Sequence, residues 1–157
     1  MTDLMTRRFP YLPLASTLLL AGLLLSTTAS ADSAEDAIQY RQSVFHTLAW
    51  QFSPMGAMAK GKQDYDATEF QTRAERLALL AQLPWEGFIE GSYDGDTDAL
   101  SKISTDKTGF EKHAQALMDE SQTLSEVAAT QDFAKIREQF AATAKACKSC
   151  HQQYRAD

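Results

Sequence analysis

Beyond residue 32, the apolar residues recur at intervals of three and four, a spacing that places them on one face of an α-helix. The pattern predicts a first helix that starts at residue 33 or 34. Near Pro54 this helix should kink or end, because proline lacks the amide hydrogen that a helix interior needs. A second helix is predicted from Asp66, where Glu69 completes a capping box, to the helix-stopping Pro84.

The second half of the chain predicts two more helices, from about Asp106 to Thr130 and from Asp132 to the end. No alternating apolar run indicates a β-strand. The connection over residues 84–104 is unusually long for a compact domain, and such connections are often functional. We therefore predict an all-α fold, an antiparallel four-helix bundle with two short loops and one long crossover. The predicted buried stripes comprise Ile38, Val44, Phe45, Leu48 and Phe52, then Phe70, Leu77, Leu80 and Leu83, then Phe110, Leu117, Leu124 and Val127, and finally Phe133, Ile136, Phe140, Thr143, Cys147 and Tyr154.

Residues 1–31 have the features of a secretory signal peptide. Arg7 and Arg8 precede an apolar run over residues 12–25, and small residues follow at 29–31. The run is short for a membrane span, which needs about 20 apolar residues, so an uncleaved anchor is the weaker alternative. We predict cleavage near Ala31, export to the periplasm without a membrane anchor, and one domain over residues 32–157.

The charge balance narrows the range of partners. The whole chain carries a formal net charge of −6, and removal of the predicted signal would make the remainder more acidic. Proteins that bind nucleic acid usually present a basic face, so we expect no nucleic-acid partner.

The candidate chemistry lies at the end of the chain, in the motif "CKSCH" over residues 147–151. Cys147 and Cys150 are the only cysteines. A disulfide between them would close a very small loop and stabilise little. A redox dithiol of the thioredoxin type belongs at a helix start after a strand, and a zinc site needs four ligands. Neither requirement is met here, and neither alternative explains His151.

Covalent attachment of haem, by contrast, accounts for every residue of the motif. The two thiols lie on one helical face, at the spacing needed for thioethers to the two vinyl groups of a haem. His151 shares that face because it follows Cys147 by four residues, so it is the candidate axial ligand of the iron. No second ligand stands out among Met55, Met58, Met118, His46 and His113.

Four stretches in addition resemble the cytochrome c′ family of c-type cytochromes: "EDAIQYRQSVF" at 35–45, "GAMAKGKQDYDA" at 56–67, "LPWEGF" at 83–88 and "CKSCHQQYR" at 147–155. The resemblance implies a left-handed four-helix bundle with one covalently attached haem c per chain. It implies five-coordinate, high-spin iron bound by His151, and a homodimer formed through the first two helices. It also implies that an apolar residue of the first helix blocks the open side of the iron, and this residue is Phe45.

The same resemblance implies further residues around the haem. Arg41 and Gln42 match a haem-contacting pair, and an arginine suits a propionate because it can donate two parallel hydrogen bonds. Asp96 matches an acidic residue that borders the haem. Trp85 is expected to line the pocket. Arg155 is expected beside the histidine.

Two main functions follow from this sequence. The first is a periplasmic gas-binding haem protein that binds nitric oxide and carbon monoxide and serves in nitric oxide sequestration or tolerance. The second is a soluble electron carrier that exchanges electrons with redox partner proteins. A six-coordinate relative with a methionine ligand is a third alternative. No acid–base or nucleophile cluster surrounds the motif, so no enzymatic role is expected beyond slow turnover of nitric oxide.

Overall fold

The computed structural model describes residues 28–156, with side chains from residue 33 onward. Of the predicted signal peptide, residues 1–27 lie outside this range, and residues 28–31 form the first turn of a helix. The α-helices of the described residues are α1 (Thr28–Ala59), α2 (Ala67–Leu80), α3 (Lys102–Thr105), α4 (Lys107–Ala129) and α5 (Phe133–Tyr154). The crossover between α2 and α4 holds the short α3 and one 3-10 turn, Pro84–Gly87.

The four longer helices form a bundle, which confirms the predicted all-α architecture. Helix α4 packs extensively along α5 and α2, and α1 packs along α2. The seam between α1 and α5 is the loosest of the four. Helix α2 has 14 residues and is shorter than the pattern predicted. Between residues 28 and 156, no helix is both long and apolar enough to cross a membrane.

Pro54 neither ends α1 nor disrupts the packing around it. The missing amide hydrogen of Pro54 would leave the carbonyl of Trp50 without its helical partner. The Arg73 guanidinium of α2 donates to that carbonyl at 3.4 Å, and the helix continues to Ala59. The expectation that the first helix could end near Pro54 is therefore wrong, and Met55 and Met58 lie within α1. Both are fully buried in the core.

The core between the helices is apolar and contains most of the predicted stripes. Leu83 is an exception at 43% exposed, because the chain leaves α2 at Leu80 and turns before reaching it. The fully buried centre comprises Met55, Met58, Phe70, Leu124 and Ile136.

Aspartate side chains cap three of the helices. Asp66 accepts a hydrogen bond from the amide of Glu69, as the capping-box pattern predicted. Asp106 and Asp132 do the same at the starts of α4 and α5. The predicted starts of these three helices are confirmed.

Candidate functional site

A cavity of about 520 Å³ lies between α1, the crossover and the C-terminal half of α5. This volume falls within the range of roughly 300–1,000 Å³ that is typical of ligand and cofactor pockets. Cys147, Cys150 and His151 all line the cavity. Its apolar walls comprise Phe45, Leu48, Phe52, Leu77, Trp85, Phe88, Ile103, Phe110 and Leu117.

The two cysteines are partly buried and are not joined by a disulfide. Burial raises the pKa of the Cys147 thiol. Burial, together with the neighbouring Cys147, raises the pKa of Cys150 to about 11. A redox dithiol needs a lowered thiol pKa, so these thiols lack the property on which that chemistry depends.

His151 lies one residue beyond Cys150, within α5, and contributes to the same wall. Partial burial, and then the positive charge of Arg155, lower the pKa of its imidazole. This shift favours the neutral ring, which is the form that binds a metal.

The cavity and its donors together fit a haem. An apolar, aromatic-lined space suits the macrocycle, and the two thiols and the imidazole on one wall match the donor set of covalent attachment. Among residues 28–156, no three histidine, cysteine or acidic side chains are grouped so that they could hold a metal ion by themselves. The donor set therefore fits a metal carried by a macrocycle better than a site built from side chains alone.

Phe45 presents an aromatic surface to this cavity from α1. Its ring makes edge-to-face contacts with Trp85, at 5.9 Å between centroids, and with Phe88, at 6.3 Å. Such contacts fix the ring in a preferred orientation. Trp85 itself is held by a hydrogen bond from its indole nitrogen to the Ala81 carbonyl at 2.7 Å.

Arg41 also lines the cavity but is only 2% exposed, and it organises the crossover loop. Its guanidinium donates to the Gly87 carbonyl at 2.7 Å, the Ser92 hydroxyl at 2.7 Å, the Ser92 carbonyl, and the Thr97 hydroxyl at 2.8 Å. It also lies 4.7 Å from the centroid of the Phe88 ring. Burial lowers the pKa of this guanidinium.

The absence of a side chain at Gly87 lets the loop approach α1 closely enough for this contact. A Cβ atom at residue 87 would lie 2.9 Å from the Ala37 carbonyl oxygen and 3.1 Å from Arg41 Cβ. These distances are too short for any larger residue without movement of α1 or of the 3-10 turn.

Gln42 lines the cavity and donates from its side chain to the Asp96 carbonyl at 2.9 Å. The Asp96 side chain is exposed and does not line the cavity, whereas Asp98 does. Asp98 is therefore the acidic residue on the cavity lining, whereas Asp96 contributes its backbone carbonyl to the contact with Gln42, and its place beside the haem stays a prediction. The loop bends between the two positions, where Thr97 is held by Arg41.

Arg155 lines the cavity beside His151 and is held there by the crossover loop. Its guanidinium pairs with the Asp98 carboxylate at 2.8 Å. Backbone hydrogen bonds flank this ion pair, from Ala156 to the Asp98 carbonyl at 2.8 Å and from Leu100 to the Tyr154 carbonyl at 2.9 Å. We call this set of contacts between residues 98–100 and 154–156 the loop–tail clasp.

Sequence reasoning missed two residues of this neighbourhood, Ser92 and Asp98. Both lie in the crossover among other small and acidic residues, and no local pattern distinguishes them. His46 also lines the cavity, next to Phe45. As a possible second ligand His46 does not stand out in the sequence; its position immediately after an apolar-stripe residue is the signal for its place at the cavity.

A helical bundle that presents a C-x-x-C-H motif to an apolar cavity defines a c-type cytochrome with haem near the C-terminus. The family model described as Cytochrome C' matches residues 36–155. The chain belongs to the cytochrome c′ family, which binds haem c.

Named relatives support this assignment along nearly their whole length. The cytochrome c′ of Halomonas halodenitrificans is 47% identical over 129 residues, covering 78% of this chain and 98% of the relative. The cytochrome c′ of Alcaligenes xylosoxydans is 37% identical, covering 77% of this chain and 94% of the relative.

Solved structures are similar in fold as well. Cytochrome c prime from Shewanella frigidimarina superimposes with a TM-score of 0.78 at 46% identity, covering 79% of this chain and 97% of that one. A nitric oxide complex of a leucine-to-alanine variant from Alcaligenes xylosoxidans gives a TM-score of 0.74 at 36% identity, covering 79% and 96%. A leucine-to-glycine variant of that protein is known with carbon monoxide bound.

Proposed function

We propose that this chain is a periplasmic gas-binding cytochrome that carries one haem c, joined by thioethers to Cys147 and Cys150 and ligated by His151. The haem iron supplies the coordination chemistry that captures nitric oxide or carbon monoxide, and the proposed role is nitric oxide sequestration or tolerance. The observation that carries this proposal is that the apolar ring of Phe45 lines the same cavity as the three motif residues. The gas complexes known for the Alcaligenes protein support it.

The phenyl ring explains why small apolar gases would be favoured. Phe45 offers no hydrogen bond to oxygen or to an anion, and its contacts with Trp85 and Phe88 resist displacement. A nearly apolar diatomic molecule needs no hydrogen-bond partner, so the lack of one in such a pocket weakens its binding least. The cost of moving the ring should appear as slow binding.

The positions of the methionines, whose sulfur could serve as a sixth ligand, support five-coordinate iron. Met55 and Met58 are buried in the helical core, and neither they nor Met118 lines the cavity. Of the two remaining histidines, His46 lines the cavity, whereas His113 packs against Tyr154 instead. A visible spectrum of both oxidation states tests this arrangement. High-spin bands support it, and low-spin bands that disappear in His46→Ala would assign a sixth ligand.

The decisive kinetic test is carbon monoxide association by stopped flow. Phe45→Ala removes two aromatic contacts worth about 0.5–1.5 kcal/mol each, so association should accelerate roughly tenfold or more. Phe133→Ala is the matched control, because Phe133 does not line the cavity. Equal rates in wild type and Phe45→Ala would refute the role of the ring.

A second measurement separates gas binding from electron transfer. The reduced protein should bind nitric oxide faster than the oxidised protein accepts an electron from a periplasmic donor. Rapid reduction combined with weak capture of nitric oxide would favour the electron-carrier alternative.

We further propose that two chains pair through α1 and α2. Trp50 on α1 and Leu79 on α2 are large apolar residues, yet they are 69% and 72% exposed in the single chain. Contiguous exposed apolar surface marks protein–protein interfaces, and a pairing through α1 and α2 would cover both side chains. Sedimentation should show a dimer that Trp50→Glu or Leu79→Glu dissociates. A monomeric wild type at micromolar concentration would refute this pairing.

A further inference from the structure

Outside the haem cavity, a second groove of about 900 Å³ opens along the outer seam between α1 and α5. This is the loosest helix contact in the bundle. The groove extends over the C-terminal half of α1 and the N-terminal half of α5. We name it the α1–α5 groove.

Small residues line the two sides of the α1–α5 groove and leave a trough between them. Gly56 lies on one side, and Ala141 and Ala144 lie on the other. Phe140 forms the base, and a Cβ at Gly56 would approach its ring to 3.2 Å. The trough is therefore apolar, and no side chain longer than a methyl group projects from these three positions.

One end of the trough is closed by an aromatic wall. Phe52 stacks on Phe140 at 4.3 Å between ring centroids. Phe52 lines both the groove and the haem cavity, so its ring separates the two spaces.

The other end of the groove carries positive charge. Lys60 and Lys62 follow the end of α1, and Arg137 lies in the first turns of α5. Glu138 is the one acidic residue on the lining. No ion pair occupies these three cations within residues 28–156, although the chain as a whole carries a net charge of −6.

We propose that the α1–α5 groove binds a free fatty acid, with its carboxylate at the three cations and its alkyl chain along the trough toward Phe52. The lining from Ala134 to Ala144 spans about 15 Å of helix, which suits a medium-length alkyl chain. An acidic peptide fits less well because its charges would continue along the uncharged trough. This site is separate from the gas-binding site and does not depend on the proposed function.

The first test is calorimetric titration of the holoprotein with dodecanoate below its micelle concentration. One molecule should bind per chain. Dodecanol, which lacks the carboxylate, should bind several-fold more weakly, and decanoate should lose roughly threefold or more per missing methylene. Equal affinity for dodecanol and dodecanoate would overturn the charged-end assignment.

Substitution of the groove cations tests whether dodecanoate binds in the α1–α5 groove. Arg137→Gln and Lys62→Gln should each weaken dodecanoate binding about threefold to fivefold, as expected for an exposed ion pair. Lys145→Gln is the matched control on α5, because Lys145 does not line the groove. Equal losses in the control would overturn the proposal.

Ala141→Trp fills the trough from an exposed position, so it should abolish dodecanoate binding while the protein remains folded. Carbon monoxide association should be unchanged in this variant, which separates failure at the groove from failure of the gas-binding proposal. Retained dodecanoate binding in Ala141→Trp would overturn the proposal. Binding to vesicles of anionic phospholipid without binding of free dodecanoate would assign the surface to a membrane and would also overturn it.

Discussion

The helical core and the crossover segment, residues 84–106, differ in how much of their structure depends on polar contacts. The centre of the core is mainly apolar: Met55, Phe70 and Leu124 have no exposed surface, and Ser121 is a fully buried polar residue of α4. The crossover combines a small apolar cluster around Ile103 with polar contacts that the core lacks: the hydrogen bonds of buried Arg41 and the loop–tail clasp. Both regions line the haem cavity.

The two regions differ in how strictly each contact requires a particular partner. Apolar contacts are not directional, so a core forms whenever enough apolar faces meet. Hydrogen bonds of a buried guanidinium require each acceptor to be in place, and an unmatched buried polar group is costly. We therefore expect the core to determine how stable the protein is and the crossover to determine how well the cavity is shaped.

The largest effect should come from the core. Phe70→Ala removes a fully buried ring and should lower the free energy of unfolding by about 3–5 kcal/mol. Arg76→Ala is the control on the same helix, because Arg76 is exposed and should change stability by less than about 0.5 kcal/mol. Urea unfolding measures both. Similar losses in the two variants would contradict the division between core and surface.

An intermediate effect is expected where Arg41 holds the crossover. Arg41→Lys keeps the charge but cannot reach all of the acceptors, so unfolding should become easier by about 1.5–3 kcal/mol. Amide hydrogen exchange over residues 88–98 should increase more than exchange in α4. The exposed Gln39→Lys on the same helix serves as control. Unchanged exchange in the crossover would show that Arg41 does not hold it.

A smaller, pH-dependent effect is expected at the junction of the crossover with α4. The Tyr154 hydroxyl, which donates to Asp106 at 2.7 Å, is the main cause of the lowered pKa of that carboxyl. A lowered folded-state pKa contributes stability that is present above the ordinary pKa and lost as the pH falls through the lowered one. Asp106→Asn and Tyr154→Phe should each reduce the slope of Tm against pH below about pH 4. An unaltered acid slope in both variants would contradict this assignment.

The smallest effect should come from the loop–tail clasp. The side chains of Arg155 and Asp98 are 55% and 64% exposed, so their ion pair is screened by solvent and is worth at most about 1 kcal/mol. Asp98→Asn should therefore barely change stability but should accelerate amide exchange at Ala156. Asp94→Asn is the matched control within the same loop. A large loss of stability in Asp98→Asn would contradict this expectation, because it would mean that the clasp contributes to stability as the core does.

The parts that the sequence predicted depend on short-range rules. Asp66 caps its helix as predicted because capping involves residues only three positions apart. Cys147 and His151 share a cavity wall because four residues make about one helical turn.

The predictions that were wrong or imprecise concern contacts between distant segments. Where α1 continues through Pro54, the carbonyl freed by the proline accepts a hydrogen bond from Arg73, a residue of another helix. Asp98, rather than its near neighbour Asp96, lines the cavity, because a loop path cannot be deduced from composition. No pattern in the neighbouring sequence indicates either result.

The sequence by itself therefore determined the four-helix pattern, the helix starts and the chemistry of the C-x-x-C-H motif, because helical periodicity and capping act over a few residues. Only the tertiary structure decided that Arg41 lies buried inside the crossover loop and that Arg155 is tied to Asp98. These contacts join residues 46–57 positions apart. They form because the packed bundle brings their segments together, and no local rule encodes that approach.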